Sequence, residues 1–175
     1  TAYGSYMLRA DDPRSDYRPY APLRPDPPGS AVKLQGELDA VEALQGPYTP
    51  ELVPWLSGLA AAYQSDGRFP EASATYARAI HLLRVNEGLK TTRQAPLVEQ
   101  LIESNLGAGQ VQAADNQQKY LFAIRRASYH PTDPEMHAAV AQYTDWLRAA
   151  YLAEVDSERF HRLQVAWQVG VGVLT

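Results

Sequence analysis

The feature that most constrains this chain is an internal repeat with a 42-residue period. Pro54 returns as Pro96 at that spacing, and segment 49–52 (TPEL) returns at twice the spacing as segment 133–136 (DPEM). Small and bulky apolar residues recur in the same register. The recurring residues are Leu59, Gly67 and Ala72, which return as Leu101, Gly109 and Ala114. Repeats of about this length encode helix pairs that stack on one another. We therefore expect an all-α array that presents a surface to partners.

The hydrophobic spacing after residue 29 predicts a run of helices. Apolar residues at helical spacing include Ala31, Leu34, Leu38, Val41 and Leu44 in the first of them. The predicted helices cover residues 30–45, 49–66, 71–85, 95–108, 111–129, 134–152 and a last one capped by Ser157. Thr49 is expected to cap the second helix, with Pro50 in its first position, where a missing N–H costs nothing. Residues 30–169 form the predicted repeat domain, and 170–175 form a tail that is either a short strand or a loose end.

Segment 1–29 has a different composition, with six prolines and four tyrosines. Proline removes backbone donors and fixes φ, so an extended, polyproline-like arm is expected here. Segment 19–24 (PYAPLR) also fits the short and common pattern of SH3-domain ligands. Disordered tails are poor in aromatic residues, which favours an arm that docks on a folded surface. A plain linker is the alternative that the sequence leaves open.

Segment 49–89 resembles a tetratricopeptide repeat (TPR). The small positions of that family fall on Ala60, Gly67, Ala72 and Ala79, and its bulky positions fall on Leu56, Leu59, Tyr63 and Tyr76. Small residues let the two helices of a hairpin cross closely, and bulky ones fill the space to the next hairpin. The resemblance implies a TPR-like helical-hairpin solenoid that binds proteins. The long period resembles the extended-helix variety of kinesin light chains.

The later repeats match this pattern less closely. Segment 91–130 has Asn105 and Gln118 where aromatic residues are expected. Segment 133–168 has Tyr151 in place of the glycine and Asp156 in place of an alanine, while it keeps bulky residues elsewhere. The bulky residues that it keeps are Tyr143, Leu147, Phe160 and Leu163. Helix 30–45 falls in the register of a second helix, so the array is expected to begin on a half-repeat.

The resemblance also implies a concave groove lined by the first helix of each pair. Carried over position by position, the groove residues are Ser57, Ala61, Gln64, Glu99, Glu103, Leu106, Asp145 and Arg148. This wall is small and mildly acidic, and it lacks the basic clamp with which family members grip a peptide carboxylate. It could hold an extended segment bearing Pro, Tyr and Arg, such as the arm of this chain. The alternative is a solvated face without a ligand.

Catalytic and cofactor signals are absent from the sequence. The chain has no cysteine, and its four histidines lack the spacing of a metal pair. Glu158 and His161 have the spacing of one arm of a di-iron site, which would need a second such pair. No phosphate loop or nucleophile motif occurs. We expect no enzyme activity, no cofactor and no metal.

Charge and hydropathy restrict the partners. A formal net charge of −4 and a pI near 5.5 argue against nucleic acid, and no apolar run is long enough to span a membrane. The chain begins with Thr1. Either a leader has been removed, and the protein is then expected to be extracytoplasmic or secreted, or the sequence is trimmed, and the protein is then expected to be cytoplasmic.

Two functions are compatible with these features. The first is a self-assembling scaffold or filament subunit, because an open half-repeat and an apolar last helix can meet head to tail. The residues expected to carry assembly are Tyr3, Tyr6, Tyr17, Tyr20, Phe160, Leu163 and Trp167. The second is a monomeric TPR adaptor that binds an extended peptide of another protein in the groove.

Overall fold

The computed structural model of this chain describes residues 30–152 and, beyond them, Val169. Across residues 30–152 the chain forms six α-helices and no strand. The helices are α1 (Ser30–Gln45), α2 (Leu52–Ser65), α3 (Phe69–Glu87), α4 (Ala95–Gly107), α5 (Val111–Ser128) and α6 (Pro134–Leu152). A 3-10 turn at Thr92–Gln94 precedes α4. The all-helical prediction is confirmed for this part of the chain, and none of these helices combines the length and hydrophobicity needed to cross a bilayer.

The sequence repeat is present in the backbone of the turns within helix pairs. The N–H of Arg68 donates to the carbonyl of Tyr63 at 2.8 Å, and the N–H of Gln110 donates to that of Asn105 at 2.7 Å. Gly67 and Gly109 take φ values of 72° and 73°, which side chains disfavour. The α2–α3 and α4–α5 turns therefore end the preceding helix with the same glycine motif.

The linkers between helix pairs repeat as well. The N–H of Leu52 donates to Thr49 O at 3.3 Å, that of Gln94 to Thr91 O at 3.1 Å, and that of Met136 to Asp133 O at 3.0 Å. Each of these three hydrogen bonds is separated from the next by one full period of the repeat. One turn geometry thus leads into α2, into the 3-10 turn before α4, and into α6.

Several predicted boundaries are corrected. Thr49 does not cap α2 through its side chain, because α2 begins at Leu52 and residues 49–51 form a preceding turn. Pro54 still lies in the first turn of α2, where its missing N–H has no helical partner. Helix α3 extends beyond the predicted 71–85 at both ends. These shifts come from the turn geometry, which sequence periodicity does not report.

The described residues fall into two compact units that divide between Ile124 and Arg125. In the first unit, α1 packs on α2, α2 on α3 and α3 on α4. Ala60, Ala72 and Ala79 are fully buried, as close helix crossings require. The large side chains that are fully buried here include Leu38, Leu52, Leu56, Leu59, Tyr76, Leu82, Leu83, Ile102, Leu121 and Ile124.

Several residues predicted on the apolar faces of this unit are not fully buried, among them Leu44 and Tyr63. Leu44 is 86% exposed, although it continues the apolar spacing of α1. Tyr63 is only half-buried, with the Arg68 guanidinium 4.4 Å from its ring centroid. Both residues lie near a helix end, where the neighbouring element covers less of the helix.

The second unit contains α6, which buries a single face. Its buried residues are Met136, Ala139, Tyr143, Trp146, Leu147 and Ala150. The turn before α6 is held by the Asp133 carboxylate, which accepts a hydrogen bond from the N–H of His130 at 2.7 Å. Arg125 donates a hydrogen bond to the side chain of Gln142.

Candidate binding groove and repeat junctions

Two of the predicted groove residues lie side by side in the first unit. Gln64, near the end of α2, donates a hydrogen bond from Nε2 to Oε2 of Glu103 on α4 at 3.3 Å. The Tyr76 hydroxyl of α3 donates to Oε1 of the same glutamine at 3.3 Å. Three helices are thus linked through one amide. The resemblance predicted Gln64 and Glu103 for the groove, whereas Tyr76 was expected only in the core.

The surroundings of Glu103 disfavour the charged form of its carboxyl. Desolvation by neighbouring atoms raises the pKa of its carboxyl, and the nearby charge of Glu99 raises it further, while the Gln64 hydrogen bond opposes both. Burial also raises the pKa of Tyr76, with a smaller contribution from Glu103. A cation that binds near Glu103 would lower the pKa of its carboxyl.

The remaining predicted groove residues lie in two places. Ser57, Ala61 and Leu106 are half-buried on α2 and α4 of the first unit. Asp145 and Arg148 lie on α6 in the second unit, where they form an ion pair of 3.1 Å with both side chains 69% exposed. That all eight residues share one continuous wall stays a prediction.

A second set of contacts joins α1 to α3 and α3 to α5. The Arg78 guanidinium of α3 contacts the Glu42 carboxylate of α1 at 2.7 Å, with both side chains about one-third exposed. One repeat later, Arg84 of α3 donates from Nε to the Tyr120 hydroxyl of α5 at 2.9 Å. Glu42 and Arg84 are equivalent in the repeat, and so are Arg78 and Tyr120. The two contacts therefore occupy equivalent places in the repeat, and we call each of them a repeat junction. The first is an ion pair, and the second is a hydrogen bond from an arginine to a tyrosine hydroxyl.

The second junction is the more elaborate. The Arg84 guanidinium lies 4.2 Å from the Tyr120 ring centroid. The Tyr120 hydroxyl is also within hydrogen-bond distance of the Leu89 carbonyl (2.6 Å) and of the buried Gln94 side chain. This cluster was not predicted from the sequence. Its signal was available, because the repeat register relates Tyr120 to Arg78.

The equivalent position in α1 carries no side chain. Gly36 occupies the register of Arg78 one repeat earlier, and a Cβ added there would meet nothing within 4 Å. An open cleft of about 310 Å³ lies at this place, between α1 and the α2–α3 turn. Val32, nearby on α1, is 80% exposed. Leu44 is the repeat equivalent of Asn86, whose side chain donates a hydrogen bond to Tyr48 O at 3.1 Å in the next junction. Helix α1 thus presents a junction face that no described residue covers.

Residues 30–152 contain no group of three or more His, Cys, Asp or Glu side chains that could hold a metal ion. The predicted assembly residues lie outside the described part of the chain, as do Ser157, Glu158 and His161. Those assembly residues are Tyr3, Tyr6, Tyr17, Tyr20, Phe160, Leu163 and Trp167. In comparisons with protein-family profiles and with curated protein sequences, the chain matches none.

Proposed function

We propose that this protein is a non-catalytic scaffold with a TPR-like helical-hairpin solenoid. It assembles head to tail with copies of itself, through the ends of the array and its N-terminal arm, into an oligomer or filament. The TPR-like assignment is supported by the glycine turns that recur once per repeat and by the fully buried alanines at helix crossings.

The observation that carries the self-assembly proposal is the uncovered junction face of α1. In the following junctions, the positions of Gly36 and Leu44 hold residues that touch the preceding repeat. In α1 these positions are a glycine over open space and a leucine that is 86% exposed. A large exposed apolar residue at a junction position favours burial against another helix pair. A second copy supplies such a pair at its other end, and a heterologous contact of this kind extends into rings or filaments.

The test compares two exposed leucines. Leu44→Glu places a charge in the proposed contact, and Leu89→Glu places the same charge at a leucine of the α3–α4 linker that is 71% exposed. We expect the wild-type chain to sediment as concentration-dependent oligomers. Leu44→Glu should weaken the association about tenfold or more, the cost of desolvating a carboxylate without a partner, and Leu89→Glu should leave it unchanged. Circular dichroism is the check that both variants remain folded.

A wild-type chain that stays monomeric at high micromolar concentration contradicts this proposal. The adaptor function then becomes the better candidate, and the observation that favours it is the Gln64–Glu103 contact across the predicted groove. A labelled peptide rich in Pro, Tyr and Arg should bind the wild-type chain. It should bind the double variant Glu99→Lys/Glu103→Lys at least tenfold more weakly, since two charges are reversed.

A further inference from the structure

The cleft on α1 has the chemistry of a site for a small apolar segment. Its lining residues include Val32, Gln35, Gly36 and Asp39 of α1, with Tyr63 and Arg68 opposite them. The bare Gly36 leaves the helix backbone accessible, and the Val32 side chain is 80% exposed beside it. The half-buried ring of Tyr63 forms part of the other wall. Aromatic and aliphatic walls of this kind are what proline-rich segments dock on.

The polar groups at the cleft already have partners within the described residues. Gln35 donates from Nε2 to Oδ1 of Asp39 at 2.7 Å. Arg68 stacks on Tyr63 and forms an ion pair of 2.9 Å with Glu71. A highly charged ligand would have to compete with these contacts. A segment with few donors, whose carbonyls stay in water, would not.

The chain that leads into α1 has this composition. Residues 19–28 contain five prolines together with Tyr20 and Leu23, and Gly29 joins them to Ser30, the first residue of α1. Because proline on this scale disfavours a helix, we expect the segment to enter the junction as extended chain and not as a preceding helix would.

Segment 19–28 is long enough to run back along α1 from Ser30 to the cleft. Asp39, the farthest lining residue from Ser30, lies nine residues into α1, which is about 14 Å at the rise of a helix. Polyproline chain advances about 3.1 Å per residue, so five residues cover that distance and ten cover about 30 Å. Gly29 provides the freedom to reverse direction at the start of the helix.

We propose that residues 19–28 of this chain dock in the α1 cleft in cis, as an extended segment that runs back along α1 and places apolar side chains against Tyr63 and Val32. The direct tether holds the segment at an effective concentration in the millimolar range, so weak contacts suffice for occupancy. Prolines have lost most of their backbone freedom before binding, which keeps the ordering cost low.

This docking is intramolecular, so it does not require the self-assembly proposed above. The two are connected, because a docked segment would enlarge the apolar face that α1 offers to a neighbouring copy. They are also separable, because docking is measured on a monomer and assembly is measured as a function of concentration.

Chymotrypsin cleavage of the full chain tests the proposal. The bond after Tyr20 lies within the docking segment, and the bond after Tyr6 lies in the same arm outside it. At concentrations where sedimentation shows a monomer, we expect cleavage after Tyr20 about tenfold slower than in a synthetic peptide of residues 15–29, as a contact of about 1.4 kcal/mol gives. Cleavage after Tyr6 serves as the internal reference.

Two glycine substitutions provide the matched pair. Gly36→Tyr fills the cleft, while Gly58→Tyr adds the same side chain in α2 away from it, and an added Cβ meets nothing within 4 Å at either place. Gly36→Tyr should raise the rate after Tyr20 to that of the peptide, and Gly58→Tyr should leave it slow. Leu23→Asp, in the arm itself, should also raise it without touching the helices.

Three results would overturn the proposal. The first is cleavage of the wild-type chain after Tyr20 at the rate of the free peptide. The second is an equal effect of the two glycine substitutions. The third is protection that disappears on dilution, which would mean that the segment docks on a second copy and not on its own chain.

Discussion

Among the glycines of residues 30–152, Gly107 has the least room for a side chain. A Cβ at this position of α4 would lie 2.5–2.7 Å from the ring of Phe69, the first residue of α3. These atoms belong to the near side of the ring, so the whole aromatic side chain would have to move. We expect Gly107→Ala to lower the free energy of unfolding by about 1–3 kcal/mol, as overpacking does, measured by urea denaturation.

Gly58 is the matched control for this substitution. It also lies within a helix, but a Cβ there would meet nothing within 4 Å. Alanine is the better helix former, so Gly58→Ala should raise the free energy of unfolding by about 0.5–1 kcal/mol. A change of the same sign in both variants would show that Phe69 does not limit the space at Gly107.

At this scale the sequence predicted apolar positions better than it predicted their exposure. Leu59, Ala72 and Tyr76 are buried as expected. Leu44 and Tyr63 continue the same periodicities and are exposed or half-buried. Periodicity identifies the face on which a residue lies. Whether that face is covered depends on the next element along the array, which no local pattern encodes.

Among the elements, the junction between α3 and α5 depends on one hydroxyl. The Tyr120 hydroxyl accepts a hydrogen bond from Arg84 and lies within hydrogen-bond distance of Leu89 O and of Gln94, whose side chain is fully buried. Tyr120→Phe keeps the ring under the guanidinium but removes these partners. We expect the free energy of unfolding to fall by about 1–3 kcal/mol, the cost of leaving buried polar groups unsatisfied, measured by urea denaturation.

Tyr63→Phe is the control that separates the effect of a hydroxyl's hydrogen bonds from that of losing the hydroxyl itself. Tyr63 also lies beneath an arginine, at 4.4 Å, but its hydroxyl makes no hydrogen bond within residues 30–152. This variant should change the free energy of unfolding by less than about 0.5 kcal/mol, as surface substitutions do. Comparable losses in both variants would show that the hydrogen bonds of the Tyr120 hydroxyl are not what stabilises the junction.

The order of the elements was largely predictable, and their junctions were not. The repeat register and the glycines located all six described helices, including α6 at its predicted bounds. The helix starts depended on turn hydrogen bonds that sequence spacing does not report. Of the candidate groove, the resemblance located Gln64 and Glu103, which meet, but not Tyr76, because an aromatic residue at a packing position gives no sign of where its hydroxyl points.

At the scale of the whole molecule, the repeat explains why one face of the first unit is incomplete. Each junction needs a residue from the equivalent helix one repeat earlier, as Arg78 needs Glu42 and Tyr120 needs Arg84. Helix α1 comes first among the described helices and carries Gly36 at the position equivalent to Arg78 and Tyr120. The proline-rich arm precedes α1 in the sequence, and we propose that it contributes to the contact that this face makes.

Removal of residues 1–29 tests this connection. The buried side chains of the first unit, such as Leu38 and Leu52, lie within residues 30–124, so the truncated chain should keep its helical circular dichroism. Its self-association, measured by sedimentation velocity, should weaken about tenfold or more, because tyrosine and proline side chains that dock at low entropic cost are lost. Replacing the four arm tyrosines by serine at unchanged length should reproduce most of this loss.

Trp167→Glu should weaken association through the other end of the array. Association that survives all three changes would exclude both the arm and the array end from the contact.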